Sequence, residues 1–458
     1  MLRKSMLATS LLATSLSASP KNPVLAIIDS GIDIKHEQLN DQIWINPKDS
    51  NFNNFDEDMN GFPDDVYGWN FFANTPDVID YKYIKLYSPE ISRFFQVQAD
   101  AVSGTATQED IDWAKDAVQD QDFISKLMTF GNFIHGTHVA GISESVSQSS
   151  DILAIKLMPT ENPLFGMKQD ILRAAEEGKS LNWIVKQIVK GGLFAFAKIQ
   201  ASLFHEIGKY LNSHDVDVVN GSFGVGPAQA QALLMPLLTL ANGGNTPPQE
   251  TLNEMMRFFL ERTNAEQLKL ANAAKGTLFV FAAGNDGLSN DMFPTAPASM
   301  DHPRRISVAA VFENGQLAPF SNFGTSVDIA APGVAIASSV PDDRYMKLSG
   351  TSQAAPLVAG VASEMKAINP DLAAIEIKEL ILATVDVKSH LKGKVASSGI
   401  INPERAFQAA RLSTVLSLEE AIEGAKQSIS DIERPRSMVL SSDLPFISIQ
   451  PSLFKLDN

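Results

Sequence analysis

The chain of 458 residues contains no cysteine. That absence excludes disulfide bonds, a thiolate nucleophile, a lipid-modified cysteine anchor and any cysteine-based zinc site. Basic residues are also scarce, because 37 Lys and Arg stand against 53 Asp and Glu, for a formal net charge of -16. Nucleic acids and anionic membranes favour basic surfaces, so we expect neither as a partner.

Beyond the N-terminus the sequence also lacks any run of about 18 apolar residues, so we expect no membrane span and no stable membrane anchor. The N-terminus itself has the outline of a secretory signal: Arg3 and Lys4, then an apolar stretch from Met6 to Ala18 that contains small residues. Serines and threonines dilute this stretch, which leaves a disordered tail as the alternative. We favour a signal peptide at residues 1–19 and a secreted or cell-envelope protein.

Short apolar segments alternate with helical patterns along the chain. Continuous apolar strands are typical of a parallel sheet covered on both faces. The alternation predicts an α/β fold, a three-layer, doubly wound, mostly parallel sheet with chemistry at the carboxyl ends of its strands. The predicted strands are Val24–Asp29, Ile152–Leu157, Val216–Ser222, Thr277–Ala283 and Ile306–Val311, and the predicted helices are Phe133–Ser145, Val185–Asn212, Ala265–Ala274, Thr351–Ile368 and Ala373–Ala383.

Three glycine-rich motifs carry Asp29, His135 and Ser352, in that chain order. Acyl transfer by serine needs a hydroxyl to attack, an imidazole to take its proton and a carboxylate to hold the imidazole. Each motif alone has an ordinary explanation, since the aspartate can end a turn and the histidine or serine can cap a helix. His138 could pair with His135 on a metal, but zinc needs a third ligand and no HExxH pattern is present.

The order and glycine context of these motifs resemble the subtilisin-like serine proteases (subtilases) over most of residues 22–411. The resemblance implies a serine endopeptidase of protein or peptide substrates, with Ser352 as nucleophile, His135 as general base and Asp29 as its orienting partner. It implies that Asn285 and the Ser352 backbone N–H form the oxyanion hole. Gln353 departs from the methionine that is commoner in the family, and we expect it to affect packing or rate.

The resemblance also assigns substrate contacts. Val218–Gly224 looks like the family's edge strand, which pairs with an extended substrate, although a plain sheet strand is the alternative. The segment Ala282–Gly284 resembles a wall of the pocket for the residue before the cleaved bond. Its small residues leave room for a large hydrophobic side chain, with broad specificity. The residues assigned to substrate binding are Gly221, Ser222, Phe223, Gly224, Ala282, Ala283 and Gly284.

An acidic loop predicts a structural calcium site. The loop spaces oxygen ligands as the start of an EF-hand does, with Gly61 at the sixth place, but Tyr67 stands where an EF-hand has glutamate. Similar loops before a Tyr-Gly-Trp segment occur in subtilases, many of which are stabilised by calcium. The predicted ligands are Asp56, Asp58, Asn60 and Asp64, and a solvated acidic turn is the alternative.

We expect a monomer with a peptidase domain at residues 20–411, insertions near 76–129, 159–213 and 226–264, and a tail at 412–458 with one amphipathic stretch, Leu416–Ile432. The third insertion reads as two helices joined by a loop at residues 242–248. Few residues separate Ala18 from the first strand, so either the chain folds without a pro-domain or an insertion or the tail takes part of that role. The first insertion could act as an internal lid. A catalytically silent or self-capped peptide-binding protein therefore remains the alternative function.

Overall fold

The computed structural model describes residues 21–161, 201–434 and 446–447. The predicted signal peptide, residues 162–200 of the second predicted insertion, and residues 435–445 and 448–458 of the predicted tail lie outside these described residues. No helix in the described ranges is long and apolar enough to cross a membrane.

The described strands form one large sheet and one hairpin. Their bounds are β1 Val24–Asp29, β2 Gly68–Asn70, β3 Asp151–Lys156, β4 Val218–Gly221, β5 Leu278–Ala282, β6 Arg305–Val311, β7 Ile329–Pro332, β8 Ile336–Val340, β9 Arg344–Leu348, β10 Asp386–Val387 and β11 Gly399–Ile400. The large sheet has the order β10-β11-β7-β6-β5-β4-β1-β3-β2, and β8 pairs with β9. Within the large sheet every neighbouring pair is parallel except β10 and β11.

The described helices lie on both faces of this sheet. Their bounds are α1 Pro89–Ser103, α2 Gln108–Ala117, α3 Gln121–Glu144, α4 with its described part at residues 201–213, α5 Pro227–Ala241, α6 Gln249–Ala273, α7 Thr351–Ile368, α8 Ala374–Ala383, α9 Pro403–Leu412 and α10 Leu418–Ser428. Short 3-10 helices cover Asn40–Gln42, Tyr81–Leu86 and Ser389–Leu391.

The alternating side chains of β1 show why the fold has three layers. Leu25 and Ile27 belong to the core that packs against α7, whereas Ala26 and Ile28 belong to the core that contains Phe204 of α4. Successive strand residues point to opposite faces, so a strand that is apolar throughout needs helices on both sides. The predicted α/β fold with a mostly parallel sheet is confirmed.

Several predicted element bounds need correction. The helix predicted from Phe133 begins at Gln121, because Asp120 caps it by accepting from the Asp122 N–H at 2.9 Å and the first insertion runs directly into it. The helix predicted from Ala265 begins at Gln249. The two-helix prediction for the third insertion is confirmed by α5 and α6. Of the predicted helix Val185–Asn212, residues 201–212 are helical, and residues 185–200 lie outside the described ranges.

The first insertion builds a small core of its own. Phe94 and Phe95 of α1 pack with Leu127 and Phe130 of α3, and Leu348 of β9 belongs to the same cluster. Burial of this cluster fixes α1 against the β8–β9 hairpin. The inserted helices are therefore packed onto the domain beside the segment that leads into α7.

Candidate active site

Asp29 and His135 meet at the carboxyl end of β1. His135 Nδ1 lies 2.8 Å from Asp29 Oδ1, which also accepts the Ser30 N–H at 2.7 Å. A carboxylate can only accept, so His135 carries its proton on Nδ1 and leaves Nε2 as a base. Both side chains are 0% exposed, and His135 Nε2 has no hydrogen-bond partner among the described residues.

Glycine allows α3 to approach β1 this closely. A Cβ atom on Gly136 would meet the carbonyl oxygen of Gly31, and Gly136 N donates to Ser30 Oγ at 3.3 Å. Gly31 itself has φ +122°, a conformation that side chains other than glycine's rarely adopt. The two glycines thus set the Asp29–His135 geometry.

Ser352 lies at the start of α7 and is held by the loop after β4. Ser222 follows Gly221, which pairs with Ile28 of β1, so Ser222 lies one strand away from Asp29. Ser222 Oγ donates to the Ser352 carbonyl at 2.9 Å, and Ser352 Oγ donates to the Ser222 carbonyl at 3.1 Å. The serine hydroxyl is therefore turned toward Ser222 rather than bonded to His135. Such bonds are often long in ligand-free enzymes and tighten when substrate binds.

Asn285 lies beside the first turn of α7. Its Oδ1 accepts from both the backbone N–H and the hydroxyl of Thr351, at 2.9 Å each. These two bonds fix the amide plane, so the side-chain NH₂ faces away from Thr351. Asn285 Nδ2 lies 3.4 Å from the position that a Cβ on Gly350 would take, two residues before Ser352. An amide donor thus lies close to the start of the helix that carries Ser352.

The sequence model of the Subtilase family matches residues 20–407. This chain belongs to the subtilase family. It is similar to alkaline elastase YaB of Bacillus sp. (strain YaB), at 36% identity over 149 residues, or 31% of this chain and 35% of that protein. Subtilisin BL of Lederbergia lenta is 34% identical over 149 residues, or 31% and 50% of the two chains. Subtilisin-like protease 2 of Plasmodium falciparum is 42% identical over 99 residues, or 21% and 7%.

The matched stretch spans at most half the length of these three relatives. Among solved structures, a cold adapted subtilisin-like serine proteinase aligns with a TM-score of 0.41 and 17% identity over 83% of this chain and 86% of that one. The A-subunit of the AB5 toxin from E. coli aligns with a TM-score of 0.43 and 19% identity over 85% and 93%. At these TM-scores the structural likeness adds nothing to the family assignment.

The predicted edge-strand role is wrong for Val218–Gly221, whereas the substrate role predicted for Gly221, Ser222, Phe223 and Gly224 stays a prediction. β4, Val218–Gly221, pairs with β1 on one side and with β5 on the other, so neither edge of these four residues is open to a substrate strand. An apolar strand that is buried on both faces has the same sequence pattern at the centre of a sheet as at its edge. The sequence alone therefore could not show that β4 is central. Phe223 packs in the core with Phe204 and Phe281. Gly221, Ser222 and Gly224 are buried as well, and Ser222 is the residue that contacts Ser352.

The segment Ala282–Gly284 lies where β5 ends, next to Asn285. An amide network that was not predicted supports it: Asn290 Nδ2 donates to the Ala283 carbonyl at 2.8 Å, and Asn322 Nδ2 donates to Asn290 Oδ1 at 3.1 Å. A Cβ on Gly284, which has φ +110°, would meet the Asn322 amide. Asn322 also holds the loop through the Asp286 N–H at 2.9 Å. This asparagine pair fixes the loop that carries Asn285.

Lys156 is a buried cation behind Asp29 that was not among the predicted residues. It ends β3 in register with Asp29 and is 5% exposed. Its Nζ donates to the Ser30 carbonyl and to Thr160 Oγ1, the latter at 3.2 Å. Burial lowers the pKa of Lys156 to about 8, although the Asp29 charge opposes this shift. A lysine at the end of an otherwise apolar strand was the available sequence signal.

His138 has a structural role. Its Nε2 lies 3.1 Å from the carbonyl oxygens of Ile336 and Met346, on the two strands of the hairpin. Burial lowers its pKa to about 3, so the ring stays neutral and donates. His138 therefore ties α3 to the β8–β9 hairpin rather than joining His135 on a metal.

The four predicted calcium ligands make different hydrogen bonds within the acidic loop. Asp56 and Asp64 accept backbone N–H groups within the loop at 2.7–3.0 Å. Asn60 Nδ2 instead donates to Asp58 Oδ2 at 3.2 Å and to Asp65 Oδ2 at 2.9 Å. Asp58 and Asn60 therefore lie with Asp65, which was not predicted, and Asp58 also accepts the Asn60 N–H at 3.1 Å.

Within the described ranges, Asp58, Asp65 and His214 form the group whose possible ligand atoms all lie within 4.8 Å of one another. Asp49 lies beside this loop, fully buried, and its Oδ1 has no hydrogen-bond partner among the described residues. Burial and the neighbouring Glu57 carboxyl raise the pKa of Asp49 to about 6. Several carboxylates thus share a confined space, and hard oxygen ligands of this kind suit calcium. The nitrogen of His214 fits calcium less well.

Proposed function

We propose that this subtilase is a serine endopeptidase that works through Asp29, His135 and Ser352. The observation that carries the proposal is the buried 2.8 Å Asp29–His135 contact, one strand away from a serine at a helix start. Three similar proteins are named as an elastase, a subtilisin and a subtilisin-like protease, which agrees with this activity.

In the proposed mechanism, Ser352 Oγ bonds to the peptide carbonyl carbon while its proton passes to His135 Nε2. Asn285 and the Ser352 N–H stabilise the oxyanion that forms. The C–N bond then breaks, His135 gives the proton to the leaving amine, and an acyl-serine remains. Water, deprotonated by His135, hydrolyses that ester. Asp29 keeps Nδ1 protonated throughout, which leaves Nε2 available as the base.

Labelling with a fluorophosphonate, which reacts with an activated serine, tests this proposal. Wild type should label, and Ser352→Ala should not. Ser363→Ala is the matched control, because Ser363 is another buried serine of α7, bonded to Ser150 at 2.6 Å, and its loss should leave labelling intact. A well-folded wild type that does not label near neutral pH would contradict the proposal.

We further propose broad specificity with a preference for a large hydrophobic residue before the cleaved bond. The support is the small, buried wall at Ala282–Gly284 next to Asn285. One methylene changes such a preference by only about 1–3 kcal/mol, so neighbouring apolar residues should also be accepted. Cleavage of a peptide library measures the preference, and a strict requirement for a charged residue would contradict it.

A self-capped state is the second candidate, favoured by one observation. Asp29, His135 and Ser352 are each 0% exposed. A peptide bond has to reach Ser352 Oγ, so full burial means that something must move before substrate binds. Fluorophosphonate labelling of Ser352 that is slow in wild type, and faster in a variant that lacks whatever segment covers the site, would support this state.

We retain two further predictions as proposals. A structural calcium in the acidic loop would be held by Asp58 with Asp65, and it would neutralise the crowded carboxylates beside the unpartnered Oδ1 of Asp49. Export through residues 1–19 accords with the signal-like sequence, and N-terminal sequencing of the exported protein would test it.

A further inference from the structure

Two residues of the C-terminal tail lie against the loops of the candidate active site. The Phe446 ring stacks on Phe320, with ring centroids 4.2 Å apart and planes 8° apart. The Ile447 carbonyl accepts from Gln98 Nε2 at 2.9 Å, and the Ile447 side chain packs on the core of the first insertion. The pair is therefore held from two sides, by the domain and by the insertion.

Both anchor points adjoin catalytic candidates. The Phe320 carbonyl accepts from Gly287 N at 2.7 Å, so Phe320 is bonded to the loop that carries Asn285. On the other side, a small cavity is lined by Phe95, Gln98, Lys347, Ser349, Gln353 and Ile447. Gln353 directly follows Ser352. One tail residue thus contacts a neighbour of the loop that carries Asn285, and the other shares a cavity with the first turn of the helix that carries Ser352.

The surface under the tail offers unused hydrogen-bonding groups. Gln98 Oε1, an acceptor, and Gln353 Nε2, a donor, are both buried without a hydrogen-bond partner among the described residues. The two glutamines are 6% and 2% exposed. A buried unpaired amide atom costs about 1–3 kcal/mol, so such a pair is a feature to be explained. One acceptor and one donor beside an apolar wall match the groups of an extended peptide backbone.

We propose that the segment around Phe446–Ile447 is an intramolecular ligand of this surface, which competes with peptide substrates for the approach to Ser352. Phe446 fills the position on Phe320, and the Gln98 amide binds the main chain of the segment. The effect on catalysis rests on the proposed function, but the binding itself does not. A tethered ligand has a high local concentration, so modest contacts suffice to keep the site closed.

Binding in trans tests the surface without any catalysis. The receptor is the full chain with Ser352→Ala, Phe446→Ala and Ile447→Ala, which empties the surface while retaining every helix and strand. A fluorescent peptide of residues 440–452 should bind it. The same peptide with Phe446→Ala should bind at least about tenfold more weakly, as expected for truncation of a partly buried aromatic anchor that stacks on another ring. Adding Gln98→Ala to the receptor should also weaken binding. No binding, or equal binding of both peptides, would overturn the proposal.

Fluorophosphonate labelling of the otherwise unmodified chain is the second measurement. Phe446→Ala should speed labelling of Ser352 by about tenfold, because loss of the anchoring ring raises the open fraction. Val415→Ala, at a position 80% exposed, is the control and should label like wild type. Labelling rates unchanged by Phe446→Ala would overturn the competition. Absence of labelling in every variant, with peptide binding intact, would instead refute the proposed function and leave the tail site standing.

Discussion

A methyl group added at Gly136 should separate Asp29 from His135. In Gly136→Ala the new Cβ would lie 2.2 Å from the Gly31 carbonyl oxygen and 3.1 Å from Asp29 Cβ. Real Cβ contacts do not fall below 3.0 Å, so α3 or the β1 exit must move by about 0.8 Å. The neighbour is a backbone carbonyl, which cannot rotate aside as a flexible side chain would.

The expected loss follows from that displacement. The Asp29–His135 contact is 2.8 Å, and a misplacement of about 1 Å in a catalytic array can cost roughly 10²-fold in rate. Overpacking should also cost about 1–3 kcal/mol of folding free energy, partly offset by the better helix propensity of alanine. We expect kcat/KM on a peptide substrate to fall about a hundredfold, with a modest fall in Tm.

Gly208→Ala is the matched control. A Cβ at Gly208 in α4 would lie 2.5 Å from the Leu270 carbonyl oxygen, a similar backbone clash against α6. It should lower Tm by a comparable amount. It should leave kcat/KM of the folded protein within about twofold of wild type, because the three proposed catalytic residues lie on elements other than α4 and α6. If Gly136→Ala keeps kcat/KM within threefold of Gly208→Ala, the reasoning from close approach is refuted.

Four other outcomes are expected. Asn285→Ala should lower kcat by about 10²–10³ with little change in KM, a magnitude established on subtilisin rather than worked out for this chain; a loss below tenfold in steady-state kinetics would count against the oxyanion role. Calcium should raise the melting midpoint of wild type relative to chelator, and Asp58→Asn should remove most of that difference; identical midpoints for wild type would refute the site. Burial lowers the pKa of Lys156 from 10.5 to about 8, so between these pH values the unfolded chain binds more protons than the folded one. In urea unfolding, the free energy of unfolding of wild type should therefore rise by about 3 kcal/mol relative to Lys156→Met between pH 8 and 10.5. A difference between the two proteins that does not change with pH would contradict this. Phe94→Ala, which empties a fully buried site in the insertion core, should cost about 3–5 kcal/mol in the same assay, and a loss below 1 kcal/mol would mean that this core is not packed as described.

The sequence predicted best where local pattern and tertiary role coincide. α7 has the bounds that were predicted, Thr351–Ile368, because a glycine precedes it and a Pro follows Asn369 just past its end. Asp29 and Asn285 were placed at the ends of strands because an apolar run followed by a polar residue marks a strand leaving the core. These features can be predicted from the neighbouring residues in the sequence alone.

Tertiary pairing explains what the sequence could not reveal. Whether β4 is central depends on its neighbours β1 and β5, which are far away along the chain. Lys156 acts on Ser30 across 126 residues, and His214 joins Asp58 from 156 positions further on. The spacing within the acidic loop likewise could not show that Asp65 lies beside Asp58 and Asn60, or that Asp56 and Asp64 accept backbone N–H groups.

The helix that carries His135 also connects the first insertion to the tail. Its early residues Leu127 and Phe130 are buried in the insertion core, the same cluster that Ile447 contacts, and its later turns bring His135 to Asp29. Deletion of residues 76–129 would therefore remove the start of α3 and disturb the histidine together with any lid. A substitution at Gln98 would separate loss of the tail contact from disturbance of His135. The Gln98 side chain donates to the tail, while its helix α1 stays packed through other buried residues. If Gln98→Ala opened the site and left the pH profile of activity unchanged, closure would be a property of the tail contact, and His135 would be poised in both states.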